Sequence, residues 1–94
     1  MKVYEVTNQI GTWSKKSVVS VPITDNTVYK SKFAAYRDVV WSKKWYLKEG
    51  FELYYREVQD EREGEHSEHL IRVVLVNRET DQWEVIEVNK FVVI

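Results

Sequence analysis

His66 and His69 are the two histidines of the chain, and they lie three residues apart in a stretch crowded with carboxylates. Imidazole and carboxylate groups bind divalent metal ions, and a histidine beside a glutamate can also transfer protons. The stretch contains no His-Glu-x-x-His motif, no calcium-binding loop and no third ligand at a recognisable spacing. We therefore expect no metal and no cofactor here, and we predict a solvated hairpin loop that turns at Gly64.

The carboxylates of this loop are the first candidate for a binding surface. A cluster of negative charges on a loop could contact a basic patch on a partner protein. The members of this second, acidic surface are Asp60, Glu61, Glu63, Glu65 and Glu68.

Trp41 and Trp45 form the other candidate surface, because residues four positions apart share one face of a helix. Tryptophan and arginine are enriched among the residues that dominate binding energies. We predict that both tryptophans are apolar anchors for a partner, and that nearby cations steer an acidic partner towards them. These cations are Arg37, Lys44 and Lys48. The alternative is that the N-terminal hairpin covers the tryptophans and makes them part of the core.

Catalysis has little support in this sequence. There is no glycine-rich phosphate loop and no G-x-S-x-G motif, and the chain contains no cysteine. His66 or His69 with a neighbouring glutamate is the only acid–base group that can be named. We therefore predict a protein that is not an enzyme.

The residues that would carry the tryptophans read as one helix over about 31–49. Ser31 can cap its first free amides, and Gly50 can adopt the left-handed conformation that closes a helix, with Phe51 folding back on Tyr46. Helical periodicity predicts that an apolar stripe packs on a sheet. The stripe consists of Phe33, Tyr36, Val40 and Leu47, with Val39 and Tyr46 at its flank.

The remaining segments read as strands. Residues 2–8 and 17–23 predict a hairpin with its turn region at 11–16, and the polar residues 24–27 predict a loop before the helix. Further strands are predicted over 51–59, 69–76 and 83–88, with a last short strand over 91–94 after a break at Asn89 and Lys90. In the first of these, Phe51, Leu53 and Tyr55 are expected to point inward. The sequence thus predicts a single α+β domain over residues 1–94, with a mainly antiparallel sheet in the order ββαβββ and one helix packed on one face.

The net charge of −1 hides an asymmetry between the two halves of the chain. Residues 1–50 hold nine Lys and Arg against four Asp and Glu, whereas residues 51–94 hold five against eleven. The basic, aromatic half could bind single-stranded nucleic acid, although the sequence pI of about 6.1 makes this the weaker reading. A second alternative is a self-assembling structural protein, a homodimer for example, in which the oppositely charged patches meet.

Several features of the whole chain indicate its cellular compartment and the class of proteins that it resembles. The absence of cysteine fits a reducing compartment, and no apolar run is long enough to cross a membrane, so we expect a soluble, cytoplasmic protein. Small size, many tryptophans and tyrosines and heavy charge resemble the accessory proteins of phages and other mobile elements, some of which inhibit host or defence proteins. This resemblance covers no motif and transfers no residue. It favours a non-catalytic module that acts by protein–protein interaction.

Overall fold

A computed structural model describes residues 1–13 and 23–93 of the chain. These residues form five strands and one helix: β1 (Lys2–Thr12), β2 (Ile23–Tyr29), α1 (Lys32–Lys48), β3 (Glu52–Val58), β4 (Ser67–Asn77) and β5 (Gln82–Val92). The strands build one antiparallel sheet in the spatial order β2-β1-β5-β4-β3, and α1 packs on one face of it. The predicted α+β class and the order ββαβββ are confirmed. No helix among these residues has the length and apolar character needed to cross a membrane.

Local signals set the ends of the helix, as predicted. The Ser31 hydroxyl accepts a hydrogen bond of 3.3 Å from the Ala34 amide at the first turn. Gly50 has a φ of +91°, and the Phe51 amide donates to the Tyr46 carbonyl at 3.0 Å. The Tyr46 and Phe51 rings pack edge to face with centroids 5.0 Å apart, which completes the closing motif.

The face of α1 that meets the sheet coincides only in part with the predicted stripe. Phe33, Val40 and Leu47 are 75%, 49% and 43% exposed, so the prediction was wrong for these three residues. The other predicted residues do face the sheet, together with a small residue and a hydroxyl that an apolar pattern does not reveal. The sheet-facing residues are Ala35, Tyr36, Val39, Ser42 and Tyr46.

The first strand is longer than predicted, and the described strand that pairs with it is Ile23–Tyr29. β1 continues to Thr12, and its pairing with β2 runs from Tyr4 opposite Tyr29 to Ile10 opposite Ile23. Residues 24–27, predicted as a loop, therefore form part of a strand, whereas residues 17–22 of the predicted strand lie outside the described residues. β2 is an edge strand whose polar side chains are exposed, and its last residue, Tyr29, packs against the core and donates a hydrogen bond of 2.8 Å to Asp38 of α1.

Gly11 lies inside β1 and not in a turn. It pairs with Trp83 on β5, and a Cβ atom added to Gly11 would clash with Cζ2 of that ring. Glycine is needed here because the indole occupies the space that a side chain would fill.

A β-bulge reverses the two faces of β3. Leu53 pairs with Leu75, but the next pair is Tyr55 with Val74, and Arg56 then lies opposite the buried Val73. The extra residue puts Arg56 on the helix side of the sheet and Tyr55 on the opposite side. The predicted inward position of Tyr55 was therefore wrong.

The core lies between α1 and the middle of the sheet. Its fully buried aliphatic side chains come mainly from β1, β5 and β4, the three central strands, each of which has a paired strand along both edges. They are Val6, Leu70, Leu75, Ile86 and Val88. β5 runs without a break through Asn89 and Lys90, so the predicted interruption there was wrong.

Candidate functional site

The structure places Trp41 and Trp45 on the surface, with 70% and 56% of their area exposed. They lie one helical turn apart, and the Trp45 ring meets the Tyr46 ring edge to face with centroids 4.9 Å apart. Tyr46 in turn packs against the core. The tryptophans are thus held on α1 next to the side that packs on the sheet.

Beneath the tryptophans lies an open cleft of about 560 Å³ between α1 and strands β1, β2 and β5. This volume suits the end of a side chain or a small organic group. The helix contributes an aromatic wall and a hydroxyl, whereas the strands contribute mainly oxygen-bearing groups. The lining residues are Trp41, Ser42, Trp45 and Tyr46 from α1, Asn8 and Ile10 from β1, Asp25 from β2 and Glu84 from β5.

Glu84 is the unusual member of this lining. It lies on β5 between Ile10 and Leu75 on the two neighbouring strands, and its side chain is fully buried. Neither carboxylate oxygen makes a hydrogen bond of ordinary geometry with the described part of the chain. A buried carboxylate without partners is costly, because the charged form loses its hydration.

Burial raises the pKa of Glu84 to about 7, and the nearby Tyr46 hydroxyl opposes only part of this increase. The pKa of Tyr46 rises to about 12, chiefly through burial and then through the negative charge of Glu84. The carboxyl group therefore changes charge near neutral pH, whereas the phenol stays protonated there. A carboxyl group of this kind binds a proton or a cation readily.

A second unpartnered oxygen faces the same cleft. Oδ1 of Asn8 is buried and has no hydrogen-bond partner among the described residues. Asn8 pairs with Asp25 across β1 and β2, so an exposed carboxylate lies at the neighbouring position of the rim. Asp25 and Glu84 are the two carboxyl groups in the described lining of the cleft. None of the described lining residues is a lysine or an arginine.

The predicted cations do not join the cleft. Arg37, Lys44 and Lys48 are all exposed on α1, and the Arg37 guanidinium lies 5.8 Å from the centre of the Phe33 ring. The structure therefore brings the two tryptophans together with Glu84, and leaves the three cations outside the lining.

The predicted acidic loop is divided between interior and surface. Lys90 is fully buried, and its Nζ lies 3.0 Å from Oε2 of Glu68 and 3.8 Å from Oε1 of Glu61. The same ammonium donates to the Arg62 carbonyl at 2.7 Å. Glu61 also accepts a hydrogen bond of 2.9 Å from the Tyr4 hydroxyl. These two carboxylates hold the loop against the sheet.

The other three carboxylates of that loop, Asp60, Glu63 and Glu65, are exposed. An acidic contact surface for a partner stays a prediction, and these three residues are the ones free to form it. Of the two histidines, His66 is exposed, and His69 is half-buried with Nδ1 3.2 Å from Oδ1 of Asn89. Within residues 1–13 and 23–93, no three side chains gather as metal ligands would.

Glu84 and Lys90 were not predicted as site residues, although one signal was available. They occupy alternate positions of β5 together with Ile86 and Val88, and all four side chains are buried on the same face. A charged residue at an inward-facing position of a central strand indicates either an ion pair or a functional group. Lys90 is the first case, whereas Glu84 forms no ion pair with the described residues.

A comparison with known protein families, curated proteins and solved structures finds no match for this chain.

Proposed function

We propose that this chain is a non-catalytic binding module that acts by protein–protein interaction, with Trp41 and Trp45 as its anchors. One observation carries the proposal: two tryptophans, each more than half exposed, border a cleft that a partner can enter. Large exposed aromatic side chains beside a concavity are typical of binding surfaces, because they bury much area at little cost in side-chain entropy.

The exposed cations contribute to encounter in this proposal. Arg37, Lys44 and Lys48 lie outside the cleft, where charges change association rates more than affinity. Phosphate groups suit the cleft poorly, because both ionisable carboxyl groups in its lining repel them. This supports a protein partner over a nucleic acid.

The mode of action that fits such a module is stoichiometric inhibition of a host or defence protein, in the style of phage accessory proteins. A cysteine-free chain fits the cytoplasm as the compartment for this activity. A second copy of the chain is the other protein that could occupy the tryptophan surface, as a homodimer.

The test uses matched aromatic truncations on the two sides of α1. Trp41→Ala and Trp45→Ala remove the proposed anchors, whereas Phe33→Ala removes an exposed ring that does not line the cleft. A partner captured from host lysate by the wild-type chain is identified by mass spectrometry, and its affinity for each variant is measured. Sedimentation of the bait alone measures self-association in parallel.

We expect each tryptophan variant to bind at least about 30-fold more weakly, which corresponds to about 2 kcal/mol, while Phe33→Ala binds as the wild type does. Circular dichroism checks that all three variants are folded. Equal binding by the folded tryptophan variants and the wild type would exclude this surface. A loss of self-association alone would assign the surface to a homodimer.

A further inference from the structure

We propose that the cleft beneath Trp41 and Trp45 binds the ammonium group of a lysine side chain presented by a protein partner, with the Glu84 carboxylate as its counter-ion. This inference rests on the proposed function and names the chemistry that the binding surface recognises.

The floor of the cleft offers more buried acceptors than donors. Both oxygens of Glu84 and Oδ1 of Asn8 are buried without a hydrogen bond of ordinary geometry among the described residues. The Tyr46 hydroxyl is the donor near Glu84, and it offsets only part of the effect of burial on the pKa of that carboxyl group. The Ser42 hydroxyl already donates to Oδ1 of Asp38 at 3.1 Å. Native proteins rarely leave several buried acceptors unmet, so a donor from outside is the simplest way to satisfy them.

The charge of the lining selects a cation as that donor. Glu84 is fully buried, and Asp25 adds a second carboxylate at the rim. An anion would be repelled, and a neutral apolar group would leave the carboxylate desolvated and unpaired. A cation in the cleft forms an ion pair in surroundings of low polarity, where such a pair interacts strongly.

The aromatic wall selects an organic cation with an apolar stem. Trp41, Trp45 and Tyr46 line the helix side of the cleft, and indole rings attract an ammonium group over their faces. The methylene groups of a lysine can pack along these rings while its end reaches the floor. Metal ions would gain nothing from such a wall, because they bind through oxygen, nitrogen or sulfur atoms.

The positions of the acceptors favour lysine over arginine. Glu84 and Asn8 come from neighbouring strands, at diagonal positions, because Glu84 pairs with Ile10 and Asn8 lies two residues before it. An ammonium group is a compact charge with three rotatable donors, which can serve acceptors from two different residues. A guanidinium group is planar, and it binds best to the two oxygens of one carboxylate.

The experiment titrates short peptides into the protein and follows its amide and indole signals by NMR. The probe is a capped glycine pentapeptide with lysine at its centre. Three matched peptides carry acetyl-lysine, norleucine or arginine at that position. The acetyl-lysine peptide keeps the stem and removes the charge, and the norleucine peptide removes the polar end. The titrations are run at pH 8, where Glu84 is ionised.

We expect the lysine peptide to shift the indole signals of Trp41 and Trp45 and to bind at least tenfold more tightly than the acetyl-lysine and norleucine peptides. Glu84→Gln should weaken lysine binding at least tenfold, whereas Glu79→Gln, which removes the same charge from an exposed turn, should not. Trp45→Ala should weaken it as well, which tests the site with a second variant.

Lowering the pH is a further check on the counter-ion. Among the described residues, the titratable groups that line the cleft with Glu84 are Tyr46 from α1 and Asp25 from β2, while its neighbours Ile10 and Leu75 on the paired strands are apolar. Lysine binding should weaken between pH 8 and pH 6 as Glu84 takes up a proton, and this dependence should be absent from Glu84→Gln.

Three results would overturn the inference: equal binding of lysine and acetyl-lysine peptides, unchanged lysine binding by Glu84→Gln, or tighter binding of the arginine peptide. Failure of the inference is distinguishable from failure of the proposed function. If the captured partner is lost by the Trp41 and Trp45 variants but kept by Glu84→Gln, the module stands and the lysine site does not. If neither type of variant affects capture, the proposed function fails.

Discussion

Replacing Glu84 by glutamine removes a buried carboxyl group while keeping its shape, so it measures what the burial of this charge costs. In the folded chain the pKa of Glu84 rises from 4.5 to about 7, mainly because the carboxyl group is buried. One pH unit corresponds to about 1.4 kcal/mol, so ionisation of this group costs the folded state about 3 kcal/mol.

The sign of the effect follows from proton linkage. Between pH 4.5 and about 7 the folded chain holds a proton on Glu84 that the unfolded chain has released. The free energy of unfolding therefore falls as the pH rises through this window, and the whole cost is present above it. Glu84→Gln does not titrate. We expect it to match the wild type near pH 4.5 and to be more stable by about 3 kcal/mol at pH 8.

Urea unfolding followed by circular dichroism at pH 5, 6, 7 and 8 provides the measurement. Glu79→Gln is the control, because it removes an equal charge from an exposed turn. The pKa values of Glu61 and Glu68 are lowered by their hydrogen bonds and ion pairs, so their titration falls below this range. A difference between Glu84→Gln and the wild type that stays constant from pH 5 to 8 would refute the reasoning, since it would mean that the carboxylate is well solvated.

Four further substitutions test the packing and the buried ion pair, each by urea unfolding. Leu75→Ala should lower the free energy of unfolding by about 2 to 5 kcal/mol, because Leu75 is fully buried. Leu47→Ala, on the exposed side of α1, should lower it by less than about 1 kcal/mol. Equal losses of stability would contradict the assigned helix face. Lys90→Ala should cost about 3 to 5 kcal/mol, because it removes the buried ammonium that pairs with Glu68, and a loss under about 1 kcal/mol would show that the Glu68 carboxylate is solvated. Gly11→Ala should cost about 1 to 3 kcal/mol through the clash with Trp83, and an unchanged free energy of unfolding would show that the ring moves aside at no cost.

Much of the fold could be predicted because its signals are local. Ser31 and Gly50 mark the ends of the helix through hydrogen bonds within a few residues, and Phe51 folds back on Tyr46 as expected. Alternating apolar residues identified the strands that follow the helix. The exposed tryptophans were also recognisable as candidates, because four positions of spacing place them on one helix face.

The candidate site depended on contacts between distant parts of the chain. Glu84 meets residues of α1 and β1, and Lys90 meets a loop that precedes it by more than twenty residues. The residues near Glu84 and Lys90 in sequence do not show whether either side chain has an ion-pair or hydrogen-bond partner in the fold. The same limit applies to the bulge in β3, which moves Arg56 and Tyr55 to opposite faces from those that simple alternation predicts.

The sequence by itself determined the order of the elements, the limits of the helix and the positions of its tryptophans, because short-range hydrogen bonds and periodicity decide these features. Tertiary structure alone decided which helix face is buried, which strand residues point inward and which charges are paired. These outcomes depend on strand register and on neighbours brought together by folding, and the free energy of a buried charge is set by those neighbours. Glu84 shows the difference: in sequence it is one acid among fifteen, and in the fold it is a buried carboxylate at the base of an aromatic cleft.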